Sequence, residues 1–185
     1  MRPDLAAKVV AALLSAAALM CAPPACSQAA PAVIPGAPAL PEGPLLSVAR
    51  GDTSATFLVV DGAAKAGDTA DFRILEVFYP PIVIADGKLV VESLSHQRVD
   101  CTQRTDTRLS SVGYNAAGGA IVGLGAAASQ PLAAATPDAM IAGALCQGVA
   151  LPAEGRVIGH DAALKQARTM LSAPTEIVAP DAQPK

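Results

Sequence analysis

The sequence predicts an α+β protein, in which an antiparallel sheet of about five to six strands carries one or two C-terminal helices packed on it. Three features support this fold class. Segments of alternating apolar residues recur between residues 54 and 124. Short turn signals rich in Gly, Asp and Pro separate them, which favours antiparallel neighbours. Two segments with helical spacing and capping residues follow.

The first strands are predicted from three runs. Residues 56–60, TFLVV, contain several β-branched side chains and precede Asp61-Gly62, a turn signal. Residues 71–79, DFRILEVFY, alternate and are expected to end at Pro80-Pro81, because proline donates no ladder hydrogen bond. Residues 82–84 are expected to form a further short strand.

The longest strand is predicted over residues 88–102, after a hairpin signal at Asp86-Gly87. Alternation places one set of its side chains on a common face: Leu89, Val91, Ser93, Ser95, Gln97, Val99 and Cys101. Strands at 108–114 and 120–124 follow, joined by a turn over 115–119 that contains a glycine pair.

Two helices are predicted after the sheet. The first begins at Thr136, a good N-cap, has Pro137 in its first position and ends at Gly148. The second covers residues 160–171 and brings Leu164, Ala167 and Leu171 to one side.

The N-terminus is typical of a secretory signal peptide over residues 1–29. A basic start is followed by an apolar run over 9–20, too short to cross a bilayer, and by small residues that favour cleavage after Ala29. Cys21 and Cys26 leave an alternative open, in which one of them carries a lipid and tethers the protein to a membrane.

Proline and alanine dominate residues 30–45, which are predicted to be a linker. Residues 173–185 have the same character and are predicted to be a disordered tail. A single folded domain is left over residues 46–172, about 125 residues, enough for one hydrophobic core.

Composition excludes several classes of protein. The chain of 185 residues has a formal charge of −3, and removal of the signal peptide, whose net charge is +1, brings it near −4. No Lys/Arg cluster is present, so nucleic-acid binding is not expected. Residues 109–137 carry no charge, but their many Ala, Gly and polar residues argue against a transmembrane segment in the mature chain.

Two cysteines, Cys101 and Cys146, remain after signal removal. An even pair in an exported chain is most simply a disulfide, which would fasten the first helix to the sheet. Two buried free thiols or a redox pair are the alternatives, although redox pairs usually have the CxxC spacing that is missing here.

A series of short motifs resembles the surface-adhesin protein E-like domain of Gram-negative bacteria. The motifs, in order, are Val99-Asp100-Cys101, Arg108, Gly113-Tyr114, the turn at Gly118-Gly119 and a helix that ends in Leu145-Cys146. The resemblance implies an antiparallel sheet with a C-terminal helix that brings the second cysteine. It also implies a surface protein that binds host matrix components.

The resemblance covers about residues 51–148. The chain differs from such domains in having no tryptophan, an acidic balance and an extra helix at 160–171.

The sequence contains no convincing catalytic motif and no cofactor motif. His96 and Asp100 fall on one strand face, where they would supply two metal ligands, whereas metal sites usually need three or four. No GxSxG motif is present, and GGAIVGLG lacks the lysine of a phosphate-binding loop. Arg98, Arg104 and Arg108 flank one turn, where two of them would be able to bind a carboxylate bidentately; a polar solvent-facing surface is the alternative.

The sequence therefore predicts an exported, non-enzymatic envelope or surface protein, in the periplasm or on the outer surface of a Gram-negative bacterium. It would bind a protein or a host matrix component through an exposed face or edge of its sheet. The second hypothesis is a periplasmic accessory subunit or small-ligand-binding protein that acts with an envelope partner. A third is an enzyme that uses His96. A homodimer is compatible with each of them.

Overall fold

The computed structural model describes residues 34–151 and 155–172. The predicted signal peptide, Cys21, Cys26 and the predicted tail lie outside the described residues. The elements are β1 (Pro44–Arg50), β2 (Ser54–Ala66), β3 (Thr69–Val83), a 3-10 turn (Ala85–Gly87), β4 (Leu89–Asp100), β5 (Thr105–Tyr114), β6 (Ala120–Leu124), β7 (Gln130–Pro131), α1 (Pro137–Gln147), β8 (Arg156–Ile158) and α2 (His160–Ser172).

The predicted α+β class is confirmed. The strands form one antiparallel sheet in the order β6-β5-β4-β3-β2-β1-β8, and β7 pairs with β5 beside β6. The described residues thus form eight strands, more than the five or six that the sequence predicts. The central strands follow the chain order, as expected for strands joined by short turns.

One helix packs on each face of the sheet. The alternation of β2 sends Phe57 and Val59 into a core with Ala163 and Ala167 of α2, whereas Leu58 faces a second core with Ile141 of α1. We call these two sides the α2 face and the α1 face. Both helices pack mainly on β1, β2 and β3, so neither covers the β4–β5–β6 side of the sheet to the same extent.

The prediction of a linker over residues 30–45 is wrong for the residues that the structure describes. β1 starts at Pro44, and Leu40 is buried in the core on the α2 face. Tyr114 donates its hydroxyl to the carbonyl of Pro38 at 2.5 Å, and the amide of Ile34 donates to Ala120. The prolines prevent a regular strand, but the apolar residues between them still pack on the sheet.

Two predicted strand ends are also wrong. β2 continues beyond Asp61-Gly62, and β3 continues through Pro80-Pro81. In each case a register shift absorbs the turn-forming residues: between Val59 and Ala64 in β2, and between Val77 and Ile82 in β3. At such irregularities the ladder does not need a hydrogen bond from every residue, so Gly and Pro are tolerated inside the strand.

The helix predictions are confirmed. Thr136 Oγ1 accepts a hydrogen bond from the amide of Ala139, and Gly148 adopts a left-handed conformation with φ 70°. Its amide donates to the carbonyl of Ala144. α2 begins at His160 as predicted. None of the described helices is both long enough and apolar enough to cross a membrane.

The Cys101–Cys146 disulfide is confirmed. The Cα atoms are 5.6 Å apart and the residues are separated by 45 positions. Cys101 lies in the turn just after β4 rather than in the strand, with its amide bonded to the carbonyl of Asp68. The disulfide therefore joins the end of β4 to the last turn of α1.

Candidate functional site

An apolar groove lies on the α1 face, at the side of the sheet away from α1. Its volume is about 300 Å³. It is lined by Phe78, Ile82, Ile84, Val90, Ser93, Ser111, Gly113, Val122 and Leu124, which come from β3 to β6 and the segment after β3. We call this the sheet groove. Its volume is at the lower end of the range for small-ligand pockets.

The sheet groove carries no charged side chain. Ser93, Gly113 and Val122 lie directly opposite one another across β4, β5 and β6, so they share one face and form part of the floor. A Cβ atom at Gly113 would lie 2.6 Å from Cγ1 of Val122, so the absence of a side chain there lets the neighbouring valines close together. Ser111 accepts a hydrogen bond of 2.8 Å from Ser95, which leaves its own hydroxyl hydrogen able to donate.

The end of the β3–β4 hairpin exposes apolar side chains on both faces of the sheet. Ile82 lines the sheet groove, whereas Val83 and Leu89, the next pair along the ladder, point to the opposite face. Beyond Phe78, β3 has no partner in β2, so this end of the hairpin projects past β2. Its side chains include Val83, which is 68% exposed, Leu89, which is 52% exposed, and Ile82, which is 41% exposed. A second cavity of about 470 Å³, with Leu89 and Ile121 in its lining, lies beside it. Clusters of exposed apolar side chains are typical of interaction sites.

The three arginines that the sequence suggests as a carboxylate-binding site lie in different surroundings. Arg98 forms a bidentate pair with Asp71, with Nε–Oδ1 and Nη2–Oδ2 distances of 2.7 and 2.8 Å. This hydrogen bonding holds the pKa of the Asp71 carboxyl below its usual value. Because the guanidinium already binds a carboxylate of its own chain, Arg98 is engaged rather than open to a ligand.

Arg104 and Arg108 lie in different surroundings. Arg104 is in the turn after β4 with φ 52° and lines a cavity of only about 90 Å³ beside the disulfide. Arg108 pairs with Gln97 across the ladder, on the α1 face, whereas Arg98 points to the α2 face. The sheet thus separates Arg98 from Arg108, and the three arginines do not converge on one site.

His96 and Asp100 do not form the suggested pair of ligands. The Asp100 carboxylate accepts the amides of Thr102 and Gln103 at 2.9 and 2.7 Å, which closes the turn after β4. His96 lies opposite Arg73 on the neighbouring strand. In the parts of the chain described here, no three His, Cys, Asp or Glu side chains are arranged to hold a metal.

The α2 face contains a buried polar cluster that the sequence analysis does not predict. The Glu92 side chain is only 3% exposed, and its Oε2 lies 3.6 Å from Nδ1 of His160, the first residue of α2. Burial raises the pKa of the Glu92 carboxyl, although His160 opposes the shift. One feature of the sequence could have indicated this cluster. Glu92 lies two positions before Leu94, so the two side chains share a face of β4, and Leu94 belongs to the core.

Further buried polar groups occur on the α1 face, among them Asp138 in the first turn of α1. Burial, with the nearby carboxylates of Asp106 and Glu76, raises the pKa of Asp138 to about 6. Asp138 Oδ1, Gln97 Oε1 and Arg108 Nε are buried without a hydrogen-bond partner in the described structure. No cavity of ligand size opens onto these atoms among the described pockets.

Comparisons with known proteins give no match: no family model, no curated protein and no solved structure resembles this chain significantly.

Proposed function

We propose that this chain is an exported, non-enzymatic binding module of the cell envelope or surface, and that the sheet groove is its binding site. The observation that carries the proposal is an uncharged groove of about 300 Å³ with exposed aliphatic side chains at its margin. Such a surface favours an apolar segment of a partner and offers only two serine hydroxyls to orient it.

Export is supported by the N-terminal pattern and by the disulfide. A basic start, an apolar run and small residues are typical of a cleaved signal peptide. Disulfides persist in oxidising compartments such as the periplasm. The similarity of the cysteine-containing motifs to the surface-adhesin protein E-like domain agrees with an envelope role and with an antiparallel sheet that carries the first cysteine.

The second candidate is a periplasmic small-ligand-binding protein or accessory subunit. The cavity of about 470 Å³ beside the hairpin favours it, because its size suits a small apolar molecule. Native mass spectrometry separates the two candidates. A bound molecule of small mass supports the second candidate, and a stoichiometric protein partner supports the first.

The test of the first candidate uses Ile82→Lys, which places a charge in the margin of the sheet groove. The matched control is Val60→Lys: Val60 is 37% exposed on β2 and does not line the groove, and Ile82 is 41% exposed. Each protein is immobilised and mixed with detergent-solubilised envelope, and the bound proteins are quantified. We expect Ile82→Lys to reduce the retained partner at least tenfold, because a desolvated unpaired charge costs several kcal/mol.

Val60→Lys should bind like the unmodified chain, and both variants should keep the same melting temperature to within a few degrees. Equal retention by Ile82→Lys and the unmodified chain would place the binding surface elsewhere. Turnover of a substrate by the purified protein, in a panel of hydrolase and redox assays, would contradict the non-enzymatic assignment.

A further inference from the structure

The start of α2 is joined to the chain segment that precedes β1. The amides of Gly159 and His160 donate to the carbonyls of Gly43 and Pro41 at 2.9 and 2.8 Å. Tyr114 bonds the same segment to β5 through the carbonyl of Pro38. Residues 34–43, which we call the N-terminal strap, and α2 therefore hold each other over the core on the α2 face.

Three carboxylates surround His160 at this junction. Nδ1 lies 3.6 Å from Glu92 Oε2 and 3.9 Å from Asp161 Oδ1, and Nε2 lies 3.9 Å from Glu42 Oε1. Asp161 and Glu42 are 93% and 85% exposed, so water solvates both of them. Only Glu92 is withdrawn from water, which makes its contact with His160 the decisive one.

The facing atoms of Glu92 and His160 have no other hydrogen-bond partner in the described structure. If the pair carries one proton, the contact is either an imidazolium beside a carboxylate or a carboxylic acid that can donate to a neutral imidazole once the atoms approach slightly. If the pair has lost that proton, a buried carboxylate faces a neutral imidazole, which offers at most one N–H and no positive charge. The buried charge then has no opposite charge in contact with it, which is expensive.

The other groups around Glu92 do not replace the proton. Val77 lies opposite Glu92 on β3, and Tyr114 lies opposite it on β5 with its hydroxyl already bonded to Pro38. On α2, Arg168 attracts Glu92 and Asp161 repels it, and both effects are weaker than that of His160.

We propose that Glu92 and His160 form a proton-operated latch, which holds α2 and the N-terminal strap on the sheet while the pair carries a proton and loosens when the pair loses it. Burial raises the pKa of Glu92, so the folded state binds the proton more tightly than the unfolded chain does. The stabilisation is therefore present at low pH and is lost as the pH rises above the ordinary range of a glutamate. The latch lies on the α2 face, so it does not depend on the sheet groove, which lies on the α1 face.

The test is amide hydrogen exchange of the full mature chain at pH 5 and pH 8, corrected for intrinsic rates. Protection at Gly159, His160 and the first turn of α2 should fall by roughly tenfold between the two pH values.

Glu92→Gln removes the titrating acid and keeps its shape and hydrogen-bonding capacity. The variant should keep α2 protected at both pH values. The matched control is Glu42→Gln, which changes an exposed neighbour of the same histidine and should leave the pH dependence intact. If Glu92→Gln does not fold, the chemical shift of the Glu92 carboxyl carbon in the unmodified chain provides the same test. It should titrate over the interval in which α2 loses protection.

Equal protection of α2 at both pH values would overturn the proposal. So would an unchanged pH dependence in a folded Glu92→Gln, or a Glu92 carboxyl shift that titrates in a different interval from the loss of protection.

Discussion

At the residue scale, the structure places its ionisable groups in two kinds of surroundings. Arg98 and Asp71 form a well-aligned pair, but the two side chains are 49% and 38% exposed. Such exposed pairs contribute only about 0 to 1 kcal/mol to stability. Glu92 is shielded from water and Asp138 is half-buried, and burial is the main cause of the raised pKa of each carboxyl. The pH dependence of stability should therefore come from these buried acids.

Asp138 gives a direct prediction of pH dependence. Its pKa is raised to about 6 from an ordinary value of 3.8, so the folded state binds this proton more tightly than the unfolded chain. Its contribution to the free energy of unfolding is present below the ordinary value and is lost as the pH rises through about 6.

Asp138→Asn should consequently raise the free energy of unfolding at pH 8 by roughly 1 kcal/mol and change it little at pH 4. This expected gain is smaller than the free energy that the pKa difference alone would give. Asp138 is partly open to solvent, and its negative charge also stabilises the start of α1. Urea unfolding at both pH values measures it, with the exposed Asp52→Asn as the control. A gain at pH 4 equal to that at pH 8 would rule out titration of Asp138 as the cause.

At the scale of the elements, predictions from sequence succeed where one local rule decides. Thr136, Pro137 and Gly148 fix the ends of α1, and alternation is enough for β5 and β6. Sequence analysis does not predict β1, for two reasons. Leu45 and Leu46 pack into different cores, so both faces of the strand are apolar and the sequence shows no alternation of apolar and polar residues. The prolines before the strand also suggest a linker. β7 and β8 have two and three residues, too few for a periodic signal.

The candidate sites could be predicted only in part, for a related reason. The sheet groove exists because Ser93, Gly113 and Val122 come together from three strands, and that depends on register. The contact between Glu92 and His160 joins residues 68 positions apart through the packing of α2, which no local pattern encodes. The disulfide could be predicted because the number of cysteines left few pairings.

Removal of the disulfide should destabilise the protein and loosen one helix more than the other. The disulfide closes a loop of 45 residues, so by the chain-entropy estimate replacement of both cysteines, Cys101→Ala with Cys146→Ala, should lower the free energy of unfolding by about 4 kcal/mol. Hydrogen exchange should rise more in α1 than in α2, because only α1 is joined to β4 by the bond. The control is the unmodified protein after reduction, which should show the same loss of stability and the same pattern of hydrogen exchange as the double variant. Equal increases in both helices would show that the bond does not act locally on α1.

At the scale of the whole molecule, the two faces of the sheet are covered to different extents. On the α2 face, α2 and the N-terminal strap cover a core that extends to Tyr114 and Ala120. On the α1 face, the side near β6 keeps an uncharged groove whose lining includes no helix residue. The account's central claim is that this uncovered side binds an apolar segment of an envelope partner.

The most direct measurement of that claim is photo-crosslinking in cells, with a photoreactive amino acid in place of Ile82 and, in a separate strain, in place of Val60. Both positions are exposed to a similar degree, at 41% and 37%, and only Ile82 lines the sheet groove. The account predicts one discrete protein adduct from position 82, found in the envelope fraction, and none from position 60. Adducts of equal yield from both positions, or from position 60 alone, would contradict it.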